Sequence, residues 1–198
     1  MAYGMRPVTH GGYNYSTGGF EEFKIDDGYT TRISNGDMVT LISDEGVTRL
    51  AGAPIPAIFA ATSVVPSQQA LGIFVGCRYD NSDNQPTWAQ FFPASGVTSG
   101  TAFAFVVTDP NAVFKIQGTG VWDDTYVGTV IDPTMTAGTG TDGNSGLVLP
   151  DYVADVAGSL RIMGVVKDGF NEVSSTTPDV LVRWSAPTCL ISGYQTPI

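Results

Sequence analysis

The 198-residue sequence contains one histidine, His10, which leaves little room for the nucleophilic and metal chemistry common in domains of this size. A Ser-His-Asp triad, a Cys-His pair and a His-ligated metal site each need an imidazole held in a core. His10 instead lies in a stretch rich in Gly and Tyr. Basic residues are also scarce. Nine Lys and Arg stand against 19 Asp and Glu, for a formal charge of −10, and no basic cluster rises above that background. A nucleic-acid backbone is therefore a poor partner, and none is expected. The two cysteines, Cys77 and Cys189, are too few for a disulfide scaffold and read as buried thiols. No apolar run approaches the roughly 18 residues that would span a bilayer, and the first residues carry no apolar segment of the secretory type. The expectation is a soluble chain made in a reducing compartment and not inserted in a membrane.

Catalytic signatures are lacking as well. The Gly-rich stretch 138–146 has no GKS or GKT and is flanked by acidic residues, which argues against a phosphate loop. Asp123-Asp124, Asp80 with Asp83, and Glu21-Glu22 supply carboxylate pairs, but sequence spacing does not set two carboxylates across a cleft. The DNSDN run at 80–84 lacks the twelve-residue cation loop with its terminal Glu, so it reads as a polar hairpin loop. We therefore expect no enzyme, with no catalytic, cofactor-binding or metal-ligating residues.

What the sequence does contain is strand and turn. Charged residues make up 14% of the chain, against about 25% in an average domain, while Gly numbers 24, Pro 12 and apolar residues 42%. Runs of four to eight apolar, β-branched and aromatic residues recur between Gly, Asn, Asp and Pro. The central block, LGIFVGCRYD to PTWAQFFPA to TAFAFVVTDPNAVFKIQ, supplies the expected core strands. Period two places Leu71, Ile73 and Val75 on one face and Phe74 on the other. The same rule separates Phe103 and Phe105 from Ala102 and Ala104. Asn35-Gly36 is a strong turn signal. A further strand is expected over 126–131, and late strands around Leu160 to Val166 and Val180 to Trp184. The fold class is mainly β, an antiparallel β-sandwich or a β-barrel-like domain, with the prolines of 51–69 marking a loop or crossover.

Two segments stand outside that pattern. Residues 1–19 have no periodicity and few aliphatics, so they read as an extended N-terminal arm on a single β-rich domain at 20–198. Its removal is expected to leave the fold intact. A long Gly/Thr loop near 133–146 lacks core-forming residues. Of the three tryptophans, Trp88 and Trp184 sit in alternating strands and read as core or interface. Trp122 lies beside Asp123 and Asp124, and these three residues are the candidate glycan contacts if the chain is a carbohydrate-binding β-domain of a virion or host-surface adhesion protein.

A Gly/Tyr-rich start followed by FKIDDGYTTRISNGDMVTL, LGIFVGCRYDNSDNQPTWAQFFPA, TAFAFVVTDPNAVFKIQ and GSLRIMGVVKD resembles the small β-rich capsid cement, or decoration, proteins of tailed bacteriophages of marine and freshwater bacteria. The likeness spans nearly the whole chain and rests on composition and topology. It implies a structural role on the outer capsid surface of the virion, after synthesis in the host cytoplasm. The implied partners are the major capsid protein and further copies of the chain, as a trimer more readily than a dimer. Under this reading Tyr3, Tyr13, Tyr15 and Phe20 are the capsid contacts of the arm, with Arg6 free to pair with a capsid carboxylate.

Overall fold

Where β-branched and aromatic residues recur between glycine turns, the computed structural model forms strands. It describes residues 2–8, 19–27, 29–41, 46–49, 70–134, 136, 138, 142–151, 158–166 and 177–185. The segment expected as a crossover at 51–69 lies outside them, as do His10 and Cys189. Eleven strands are found among the described residues: β1 (Arg6–Val8), β2 (Glu21–Ile25), β3 (Met38–Leu41), β4 (Gly46–Arg49), β5 (Ala70–Asp80), β6 (Pro86–Ala89), β7 (Phe103–Val107), β8 (Val113–Gln117), β9 (Val130–Ile131), β10 (Leu160–Val165) and β11 (Asp179–Trp184).

They make two packed sheets. One runs β1-β8-β11-β10-β9 and the other β3-β4-β2-β7-β5-β6. In the second sheet β3 also pairs with β5, so β3, β4, β2, β7 and β5 close into a ring and β6 extends from the far end of β5. The chain is thus a mainly β sandwich in which one layer is itself a small barrel. Its pairings are antiparallel except β2 with β4, where Lys24 meets Gly46 and Ile25 meets Val47 in parallel.

The barrel is closed by β5, and β5 manages this by breaking period two twice. Register shifts skip Leu71 against β3 and Val75 against β7. Each bulge inserts one unpaired residue and turns the strand by one face. Leu71, Phe74 and Cys77 consequently point into the barrel with Ile25, Val39, Val47, Ala104 and Val106. Ala70 and Ile73 point out of it toward the other sheet. The expected grouping of Leu71, Ile73 and Val75 on one face is therefore corrected by the bulges. Gly72 lets β7 come close, since a Cβ there would lie 2.3 Å from the Val107 carbonyl oxygen.

Between the layers, Met38, Ala70 and Ile73 of the barrel meet Phe114, Ile116, Leu160, Ile162, Val180, Val182 and Trp184. Burying side chains of this size stabilises the fold by about 1.5–3 kcal/mol each before chain entropy is counted. The alternation expected for β11 holds, with Val180, Val182 and Trp184 buried. The strand expected over 126–131 is shorter. Asp123 caps a single 3-10 turn at Asp124–Tyr126, its carboxylate accepting from the Thr125 amide at 2.9 Å, and only Val130 and Ile131 join the sheet.

The described part of the expected arm is a correction too. Residues 2–8 belong to the fold. Arg6, Pro7 and Val8 pair with Lys115, Phe114 and Val113, and Met5 is fully buried. Two glycines make this possible. Gly4 (φ +70°) and Gly36 (φ +94°) cross so closely that a Cβ on Gly36 would lie 2.9 Å from Gly4 Cα. The Met5 amide donates to the Gly36 carbonyl at 3.1 Å. Residues 9–18 lie outside the described residues.

Candidate functional site

The barrel turns one outer surface to the five-stranded sheet, and among the described residues no second layer covers the other. Strand alternation builds that uncovered side. On β7 the small residues Ala104 and Val106 point inward, so Phe103 and Phe105 point out, half-buried. Lys24 on β2, Phe103 on β7, Arg78 on β5 and Trp88 on β6 stand side by side in register across four strands. The Arg78 guanidinium lies over the Phe103 ring, 4.1 Å from its centroid, and its Nε–H donates to the Glu22 carboxylate. Arg78 is thereby fixed from two directions.

This surface has an aromatic end and a concave end. At the aromatic end Phe20 packs at a tilt on Phe105 with ring centroids 4.5 Å apart, and Phe20 stays 53% exposed. At the concave end Trp88, 68% exposed, stands beside a cleft of about 340 Å³ lined by Arg78, Asp80, Pro86, Trp88, Thr101 and Phe103. Asp80 is held by its backbone. Its amide donates to Thr101 Oγ1 at 3.0 Å, and its carbonyl accepts from the Thr98 amide at 2.8 Å. The polar loop beyond it is a hairpin, as expected. Asn81 Oδ1 accepts from the Asp83 and Gln85 amides, both at 2.9 Å, and Asn84 takes the left-handed conformation (φ 57°).

Of the candidate capsid contacts, Phe20 alone is placed on this surface. Tyr13 and Tyr15 lie outside the described residues. Tyr3 and Arg6 are used within the fold, which overturns the reading that they are free for a partner. The Tyr3 hydroxyl donates to the Asp179 carboxylate, whose other oxygen sits 3.0 Å from Lys115 Nζ. Burial, and then the bond to Asp179, push the Tyr3 hydroxyl pKa well above the usual range. Arg6 donates through Nη1 to Asn35 and through Nη2 to Asn144, and burial lowers its pKa. A strand of three residues needs such side-chain ties, because its backbone bonds alone hold little.

The candidate glycan contacts separate in the same way. Trp122 is fully buried, its indole N–H donating to the Thr119 carbonyl at 2.9 Å, and it packs edge-on against Tyr126. It offers no face to a ligand, which corrects the reading that grouped it with Asp123 and Asp124. Those two carboxylates remain at the surface. Trp184 is in the core as expected, whereas Trp88, read as core or interface, is the exposed indole. One signal for that was present: Pro86 and Gln90 bracket Trp88, and Pro on a strand suits a sheet edge.

The Gly/Thr loop is likewise stitched into the fold where it is described. Asn35 and Asn144 form a bridge, and the Ser145 hydroxyl donates to the buried Asp37 carboxylate. Asp37 also accepts from the Ser34 amide at 2.7 Å, and burial raises its pKa. Gly138 is required here, because a Cβ would lie 2.1 Å from the Asn144 carbonyl oxygen. Cys77 is fully buried in the barrel core, and that burial pushes its thiol up to about 12. Among the described residues no group of three or more His, Cys, Asp or Glu side chains is arranged to hold a metal ion. Comparison of the chain with protein-family models, curated proteins and solved structures finds no match.

Proposed function

We propose that the protein is a structural cement, or decoration, protein that binds the outer surface of an icosahedral phage head and stabilises contacts between major capsid protein subunits. The observation that carries this reading is the aromatic end of the outward barrel surface, where Phe20 packs at a tilt on Phe105 and stays half exposed. A large aromatic supported by a second ring is already ordered, so a protein partner gains its apolar area at little entropic cost. Support also comes from the resemblance to cement proteins and from a surface poor in charge. Self-association as a trimer would multiply each weak contact on a symmetric shell.

Co-sedimentation of the purified chain with capsid shells lacking it tests the reading. Saturable binding at a fixed ratio to capsid subunits is expected, with F20A/F105T binding at least about tenfold more weakly. Absence of binding to mature shells would overturn the proposal. Binding that F20A/F105T leaves unchanged would remove the Phe20–Phe105 end as the docking surface.

A further inference from the structure

We infer that the cleft beside Trp88 is a saccharide site that seats one hexopyranose ring, with the indole as its platform and Asp80 and Arg78 as its hydrogen-bonding walls. A pyranose has an apolar face of C–H groups and an edge of hydroxyls. It needs an exposed flat aromatic and, at right angles to it, groups that accept and donate several hydrogen bonds at once. Trp88 supplies the first, being 68% exposed and set on β6, which pairs with β5 through Thr87 with Tyr79, Trp88 with Arg78 and Ala89 with Cys77.

The walls supply the second. Among the described residues no hydrogen bond reaches the Asp80 carboxylate, although its backbone is fixed at both the amide and the carbonyl. It can accept from two hydroxyls without breaking an existing bond. Arg78 uses Nε on Glu22 and its π face on Phe103, and its remaining N–H groups are donors in a fixed plane. The cleft's 340 Å³ has room for a hexopyranose ring. The groups stand on strands and on a hairpin tied by Asn81, which is the rigidity such a site needs.

The electrostatics select against the other flat ligands that stack on indole. A nucleotide brings phosphate, but Arg78 is already paired with Glu22 and Asp80 adds negative charge at the same rim. A neutral sugar brings no charge to oppose.

The site can be read directly, because Trp122 and Trp184 are buried and Trp88 alone of the three indoles faces water. The full chain is titrated with maltotriose, cellotriose, mannotriose, chitotriose and lactose up to about 50 mM, above the millimolar range of a single-ring contact. Acrylamide quenching of Trp88 is the readout, with thermal melts of every variant confirming folding. At least one sugar is expected to protect Trp88 saturably. D80N is expected to weaken that protection at least about tenfold. No protection by any of the five sugars overturns the inference, as does protection that D80N and R78Q both leave unchanged. The purified chain is used without shells, so failure here and failure of the cement reading are separate results.

Discussion

One outer side of the barrel carries Met38, Ala70 and Ile73 and is covered by the five-stranded sheet. The other carries Phe103, Phe105, Arg78 and Trp88, and no described residue of a second layer covers it. Both sides are built on the same strand, since β5 contributes Ile73 to one and Arg78 to the other. The covered side is aliphatic and interlocks with Phe114 and Trp184, and its affinity is spent inside the molecule. The uncovered side keeps its rings in place by stacking, by a guanidinium and by an ion pair. Apolar area that is ordered but not buried within the chain is what an interaction surface requires.

The largest predicted effect tests the covered side. Met5→Ala should cost about 2–5 kcal/mol in urea unfolding. Deletion of residues 1–8 should cost more, because strand β1 and its ties to Asp179, Asn35 and Asn144 go with it. A deletion as stable as the full chain would break the claim that this segment is part of the core.

On the uncovered side, F20A/F105T should change unfolding free energy by no more than about 1 kcal/mol while weakening shell binding by about 1.4 kcal/mol or more. Equal losses in both assays would erase the distinction between the two sides.

Asp37 sharpens the comparison by pH. Burial holds its pKa above the ordinary carboxylate value, so the folded chain binds this proton more tightly than the unfolded one. Its contribution is fully present below about pH 4 and is lost as pH rises through the raised pKa. Asp37→Asn should remove that component of the pH slope, measured as unfolding free energy across acidic pH. The smallest effect belongs to the partly exposed pair of Glu22 with Arg78. Glu22→Gln should cost about 0.5 kcal/mol or less, and less again in high salt.

The fold class was legible because its signals are local. Alternation in β7 and β11 and the Asn35-Gly36 turn follow from side-chain order along a few residues. The bulges at Leu71 and Val75 were not legible, since nothing in LGIFVGC distinguishes a residue that pairs from one that is skipped. Strand β1 was hidden by its length, and it forms because Lys115 and Asp179 wait for it far along the chain. The site was half legible. Phe20 was singled out, but for exposure on an arm and not for stacking on Phe105. Trp122 was read as exposed because an indole beside two aspartates looks wet, and of the two readings of Trp88, core or interface, exposure removes only the core. Burial is decided by which strand is at the edge, and edges are set by the whole topology.

The bond between Tyr3 and Asp179 joins residues 176 positions apart. A ribosome adding about 5–20 residues per second needs about 10–35 s to supply the second partner. During that interval the first strand has emerged but cannot dock through this contact. Gly36, Asn35, strand β8 and Asn144, the other partners of residues 2–8, are all made before Asp179, so the Tyr3–Asp179 bond is the last of these ties that can close.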